Sequence, residues 1–130
     1  MTEKEYEDIE SIQIEITTCS KWFASTDNPV ELYIGEHEWI LDVENIDDFE
    51  RGNTDTFDLE VPEDMDSSWF HYLCFRKRKY LGKDDNWCIK KIKLTVNGKV
   101  VYEKDNLNAW LQENNLSWCA PDFKYGQAGE

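Results

Sequence analysis

Three short stretches of this 130-residue chain gather hard oxygen donors: Thr26-Asp27-Asn28, residues 44–48 with Glu44, Asp47 and Asp48, and Lys83-Asp84-Asp85-Asn86 just ahead of Trp87. Carboxylate, hydroxyl, amide and backbone oxygens in this mixture suit calcium, which takes about six to eight oxygen ligands at flexible geometry. With 28 acids in 130 residues a window of seven holds one or two, and residues 42–48 hold four, a mild excess, so that stretch alone reads as a solvated loop in preference to a metal site. It is the recurrence of three such stretches that points to a metal, provided the fold brings them to one end. Aromatic rings accompany them: Trp22 and Phe23 precede the first, Trp39 and Phe49 flank the second, and Trp87 closes the third. An exposed Trp settles at the lipid headgroup level. For Trp39, Phe49 and Trp87 filling the core is the preferred reading, whereas two adjacent rings at Trp22-Phe23 cannot easily both face one core.

The residues of nucleophilic catalysis are not arranged for it. A Ser or Cys nucleophile needs a His base held by a third group, and neither His37 nor His71 sits in a recognisable local frame. There is no GxSxG, HExxH, GxGxxG or Gly-rich phosphate loop. Paired carboxylates are unavoidable in a chain this acidic and identify no glycosidase. The expectation is a protein that is not an enzyme. Cys19, Cys74, Cys88 and Cys119 are 55, 14 and 31 positions apart, with no CxxC pair and only two His to complete a zinc set. They read as reduced, buried thiols in preference to disulfides, because residues 1–8 lack the basic and apolar regions of a secretory signal.

The elements that must position the acidic stretches are short strands. Ile12, Ile14 and Ile16 alternate with Gln13, Glu15 and Thr17; Val30, Leu32 and Ile34 repeat the period; Trp39 to Leu41 is a third run; and Phe57, Leu59 and Val61 alternate with polar residues in a fourth. A run from Trp69 to Phe75 carries aromatics on both faces, as a central strand would. Ile92, Leu94 and Val96 lead to Asn97-Gly98, a strong hairpin signal before Val100, Val101 and Tyr102. Asp105 is placed to cap a brief helical turn through Trp110 and Leu111. Seven or eight strands with no long amphipathic helix predict an all-β sandwich over residues 11–120, with a flexible acidic leader over 1–10 and a flexible tail over 121–130.

Charge and hydropathy narrow the partners. A formal net charge of -14 opposes nucleic acid. No run of about 18 apolar residues is present to span a membrane. The chain as given reads as cytoplasmic, or as extracellular if it is a fragment of a secreted parent, and as a monomer. Four consecutive basic residues, 76–79, either alternate between strand faces or meet an acidic protein partner.

Phe49-Glu-Arg-Gly-Asn-Thr-Asp-Thr-Phe57-Asp-Leu-Glu-Val61 resembles the hallmark segment of PLAT (lipoxygenase homology) domains. Arg76-Lys-Arg-Lys-Tyr80, Asp85, Ile92-Lys-Leu, Asn97-Gly-Lys-Val-Val101 and Trp110 are similar in order and spacing to the branch of that family formed by the C-terminal domains of clostridial alpha-toxins. The likeness covers about residues 11–118. It implies an eight-stranded antiparallel β-sandwich that acts without catalysis, either binding lipid or membrane through weakly held calcium or docking a partner protein. The ligands it implies are Thr26 and Asp27 from the first loop, Glu44, Asp47, Asp48 and the Ile46 carbonyl from the second, and Asp85 with Asn86 from the third. Phe23 falls where that branch has an acidic ligand and Ser25 where the family has Gly, so a site shared by the first and third loops loses a charge. The site of Thr26, Asp27, Asp47 and Asp48 is then the better preserved, with Trp22 and Phe23 as membrane contacts.

Overall fold

The computed structural model describes residues 7–20, 30–41, 52–77, 87–111, 115–121 and 123. Nine strands run through them in two antiparallel sheets. The first sheet holds β1 (Ile12–Thr18), β4 (Thr54–Leu59), β6 (Trp87–Val96) and β7 (Lys99–Lys104) in the order β4-β1-β6-β7, with β8 (Ala109–Leu111) also paired to β6. The second holds β2 (Val30–Ile34), β3 (His37–Leu41), β5 (Leu73–Lys77) and β9 (Ser117–Cys119) in the order β3-β2-β5-β9. The expected all-β sandwich is the observed fold, with β8 and β9 as two three-residue additions.

Alternation explains the layers. Ile12, Ile14 and Ile16 are buried while Gln13 is exposed, and Val30, Leu32 and Ile34 on the opposite sheet are buried with them. Their side chains meet Phe75, Trp87, Ile92 and Leu94 in one continuous core. Trp87 is fully buried with its indole N–H donating to Thr18 Oγ1 at 3.2 Å, and Trp39 is buried with its N–H donating to the Glu60 carbonyl at 2.8 Å. Both rings therefore serve the core, the reading preferred from the sequence; Phe49 lies outside the described residues. Asn97 and Gly98 take φ of 51° and 80°, the left-handed pair that a tight hairpin requires.

Four expectations are corrected. The run from Trp69 is not one strand: Asp66 accepts from the Ser68 N–H and caps a 3-10 turn over Ser67–Trp69, so β5 starts only at Leu73. No helical turn follows Asp105. Asn106 and Asn108 have φ of 56° and 50°, which breaks any helix, and Ala109–Leu111 pairs with Ile89, Cys88 and Trp87 instead. The cysteines are not free thiols: Cys19 is bonded to Cys88 and Cys74 to Cys119. Register brings each pair together, since Cys19 N–H donates to the Cys88 carbonyl and Cys74 lies directly across from Cys119, with Cα separations of 5.4 and 4.0 Å. Nor are they all buried, because Cys119 is exposed on the outer face of its sheet.

Of the expected leader, residues 7–10 are described, and they are tied to the sandwich. Ile9 is buried and donates its N–H to the Met65 carbonyl at 3.1 Å, and Asp8 bridges to Asp66. Asn97 Oδ1 accepts from the Glu10 and Ser11 N–H groups, at 2.6 and 3.1 Å, so the tight hairpin also anchors the entry into β1. No helix among the described residues is long and apolar enough to cross a membrane.

Candidate functional site

Thr26, Asp27, Glu44, Ile46, Asp47, Asp48, Asp85 and Asn86, together with Trp22 and Phe23, all lie outside the described residues. What the structure fixes is where the segments that carry them leave and re-enter the sandwich. Segment 21–29 leaves the first sheet after Ser20 and enters the second at Val30. Segment 42–51 leaves the second sheet at Leu41 and returns toward Thr54, and segment 78–86 leaves the second sheet at Lys77 and returns at Trp87.

The ladders show that these six ends share one rim. In the second sheet Val30 is opposite both Leu41 and Lys77. In the first, Thr17 is opposite Thr54, Thr18 is opposite Ile89, and Gly52 N–H donates to the Thr18 and Cys19 carbonyls at 3.0 and 3.1 Å. The sheets are brought together there by Phe75 against Trp87, edge to face, with ring centroids 6.1 Å apart. Trp87 in turn is held by Thr18, and the Cys19–Cys88 disulfide welds the end of β1 to the start of β6. Three crossovers thus depart from a rigid frame of backbone ladder, indole and cystine.

The cystine of this rim escaped the sequence, since only the register of β1 against β6 reveals it. The described half of the basic run follows one of the two readings the sequence offered, alternation between strand faces: Arg76 points outward and is exposed, whereas Lys77 is fully buried on the core-facing side of β5 and has a partner. A long polar side chain therefore lies buried beneath the crossovers, where burial demands a partner. The signal was the strand parity, in which Leu73, Phe75 and Lys77 share a face.

On the outer face of the second sheet, Tyr33 Oη lies 3.0 Å from Glu31 Oε1 and 3.1 Å from Glu38 Oε2, so one phenolic proton serves two carboxylates. Burial, then these hydrogen bonds, then the charges of Glu31 and Glu38 push the Tyr33 phenol above its ordinary value of 10.0. Among the described residues no group of three or more His, Cys, Asp or Glu gathers as metal ligands. His37 packs edge-on to Trp39, with centroids 4.4 Å apart, and His71 is exposed at the pole opposite the rim. Neither histidine is held in a nucleophile-base arrangement with the described residues.

Three of the crossovers between the two sheets thus open from one rim, while another, over residues 60–72, lies at the opposite pole. Residues 12–118 match the model of the PLAT/LH2 domain family, and the chain belongs to that family. It is 30% identical over 112 residues to phospholipase C of Clostridium novyi and 32% identical over 108 residues to phospholipase C of Clostridium perfringens. Those alignments cover 82% and 77% of this chain but only 28% and 26% of the relatives, so the chain spans about a quarter of their length. Among solved structures, the alpha toxin from Clostridium absonum superposes with a TM-score of 0.75 at 25% identity, over 87% of this chain and 31% of that one. A LOX crystal structure superposes at 0.61 and 15% identity, over 84% of this chain and 16% of that one, which is a likeness of fold alone.

Proposed function

We propose that this domain is a non-catalytic module that binds a phospholipid membrane surface with the help of calcium held by the three crossovers. The observation that carries the reading is the common rim, because donors 20 to 60 residues apart in sequence can chelate one ion only if their loops open side by side. Its relation to clostridial phospholipase C, a protein of lipid chemistry by name, supports the same reading. Thr26, Asp27, Asp47 and Asp48 form the principal site, Glu44, Ile46, Asp85 and Asn86 complete the donor set, and Trp22 with Phe23 enters the headgroup layer.

Charge gives the metal its role. A chain at -14 is repelled by an anionic bilayer, and bound calcium lowers local charge while offering coordination positions to lipid phosphate oxygens. Open loop sites in extracellular modules bind calcium with Kd of about 0.1 to 1 mM. Such concentrations belong to extracellular fluid, and two disulfides favour an oxidising compartment. Both support the extracellular alternative, in which the domain is a fragment of a secreted parent. Each ring fully withdrawn from water adds about 1.5 to 3 kcal/mol.

Calorimetry with millimolar calcium, then flotation on phosphatidylcholine–phosphatidylserine liposomes with and without chelator, tests the proposal. Calcium-dependent flotation is expected, reduced about tenfold or more by Trp22→Ala or Phe23→Ala, and Asp27→Asn should weaken calcium binding more than Asp84→Asn. Flotation indifferent to calcium and to both ring deletions would replace the reading by a calcium-independent protein-docking domain. Equal effects of the two Asp substitutions would show the ligand assignment to be wrong.

A further inference from the structure

We infer that the edge of β3 left unpaired among the described residues, and the groove beside it, receive an extended, basic segment of a partner protein, added as a further strand to the second sheet. β3 ends the order β3-β2-β5-β9. The turn at Gly35-Glu36 makes Ile34 and His37 the closing, hydrogen-bonded pair, so the intervening position Ile40 turns its N–H and C=O away from β2. The same phase holds across the sheet, where Gly35 N–H donates to the Tyr72 carbonyl and Lys77 N–H to the Leu116 carbonyl. Sheet edges of this kind are commonly blunted by Lys or Pro within the strand. His37-Glu38-Trp39-Ile40-Leu41 has neither, and Ile40 is 55% exposed.

Beside this edge runs a groove of about 560 Å³, floored by Trp39, Val61 and Pro62 and flanked by Glu38, Glu60 and Glu63. Trp39 donating to the Glu60 carbonyl keeps segment 60–63 at a fixed distance from the strand. Past His37 the groove reaches a second cavity of about 390 Å³ walled by Trp69, His71 and Glu36. No Lys or Arg lines either cavity among the described residues. The floor is apolar, the flanks are acidic and one wall is a partly buried indole.

Those properties select the occupant. An extended segment that alternates Lys or Arg with aliphatic residues would place its aliphatic side chains on Trp39, Val61 and Pro62 and its cations beside Glu60 and Glu63, with one cation over the Trp69 ring. Five-residue β3 accommodates a partner of about five or six residues. A second copy of this chain is the wrong partner for the same reason: edge-to-edge pairing would set Glu36, Glu38, Glu60 and Glu63 against themselves.

The test uses the full chain and two synthetic peptides, Lys-Val-Lys-Ile-Lys-Val and Glu-Val-Glu-Ile-Glu-Val, with affinity from calorimetry and site protection from amide hydrogen exchange. The basic peptide should bind at least tenfold more tightly than the acidic one, weaken with added salt, and slow exchange at the Ile40 amide. Ile40→Pro removes that donor while leaving the β2 ladder intact, and should weaken binding tenfold or more. Glu60→Lys with Glu63→Lys, which touches no ladder, should do the same and improve binding of the acidic peptide. Equal affinity for both peptides, indifference to both variants, or self-association in place of peptide binding would overturn the inference. Calcium-dependent flotation should persist in Ile40→Pro, which separates a failure here from a failure at the rim.

Discussion

Cys19→Ala combined with Cys88→Ala removes the cystine that joins β1 to β6 at the rim. The bridge spans a sequence separation of 69, and closing a loop of that size lowers the entropy of the unfolded chain by an amount worth about 4.4 kcal/mol at 25 °C. Unfolding entropy of about 2.1 cal/mol/K per residue gives roughly 0.27 kcal/mol/K for 130 residues. The melting temperature should therefore fall by about 16 °C, or about 8 °C if half the chain-entropy effect is realised. Both sulfurs are buried, so the small voids they leave add to the loss. The companion variant, Cys74→Ala with Cys119→Ala, opens a bridge of sequence separation 45 and should lose about 4.0 kcal/mol, with less cavity contribution because that pair reaches the surface. Differential scanning calorimetry of the three proteins under non-reducing conditions gives the comparison. A fall of less than about 3 °C in the first variant, or four thiols titrating in the denatured, unreduced parent, would refute the reasoning.

Gly35→Ala should destabilise far more than Gly98→Ala. A Cβ at Gly35, where φ is 58°, would stand 2.1 Å from the Trp69 carbonyl oxygen, whereas one at Gly98 meets nothing within 4 Å. Left-handed strain alone amounts to about 1 kcal/mol, and the forced overlap adds about 1 to 3 kcal/mol, readable in urea midpoints. Tyr33 should be among the last of the six tyrosines to ionise when absorbance at 295 nm is followed in alkali. Its folded value lies above the unfolded 10.0, so the stabilisation it brings is complete below pH 10 and disappears as the pH rises through the folded value. Tyr33→Phe should flatten that alkaline loss; an unchanged profile would show that the two carboxylates do not govern it.

The strands with one buried face were legible because β-sandwich strands write their layer into a period of two. Ile12-Ile14-Ile16 and Val30-Leu32-Ile34 needed no context, and Asn97-Gly98 announced its hairpin through backbone chirality alone. Segments decided by distant partners were not legible. Ala109–Leu111 and Ser117–Cys119 are too short to show a period and exist because β6 and β5 have unfilled edges to pair with. The 3-10 turn at Ser67–Trp69 depended on one carboxylate, Asp66, whose capping competes locally with extension into β5. The cystines were misread because the thiol reading leaned on the character of residues 1–8, and spacing, which says nothing of register, could not correct it. For the candidate site, composition marked the three segments, and only the ladders show that their ends meet on one rim.

All three rim segments, 21–29, 42–51 and 78–86, fall between Cys19 and Cys88 in the chain. A protease that severs any one of them therefore produces two polypeptides still joined by a covalent sulfur link. Such a nicked molecule would migrate as intact until a reductant is added, and its scaffold would outlast the cut. Digestion in the rim can thus proceed without release of either fragment.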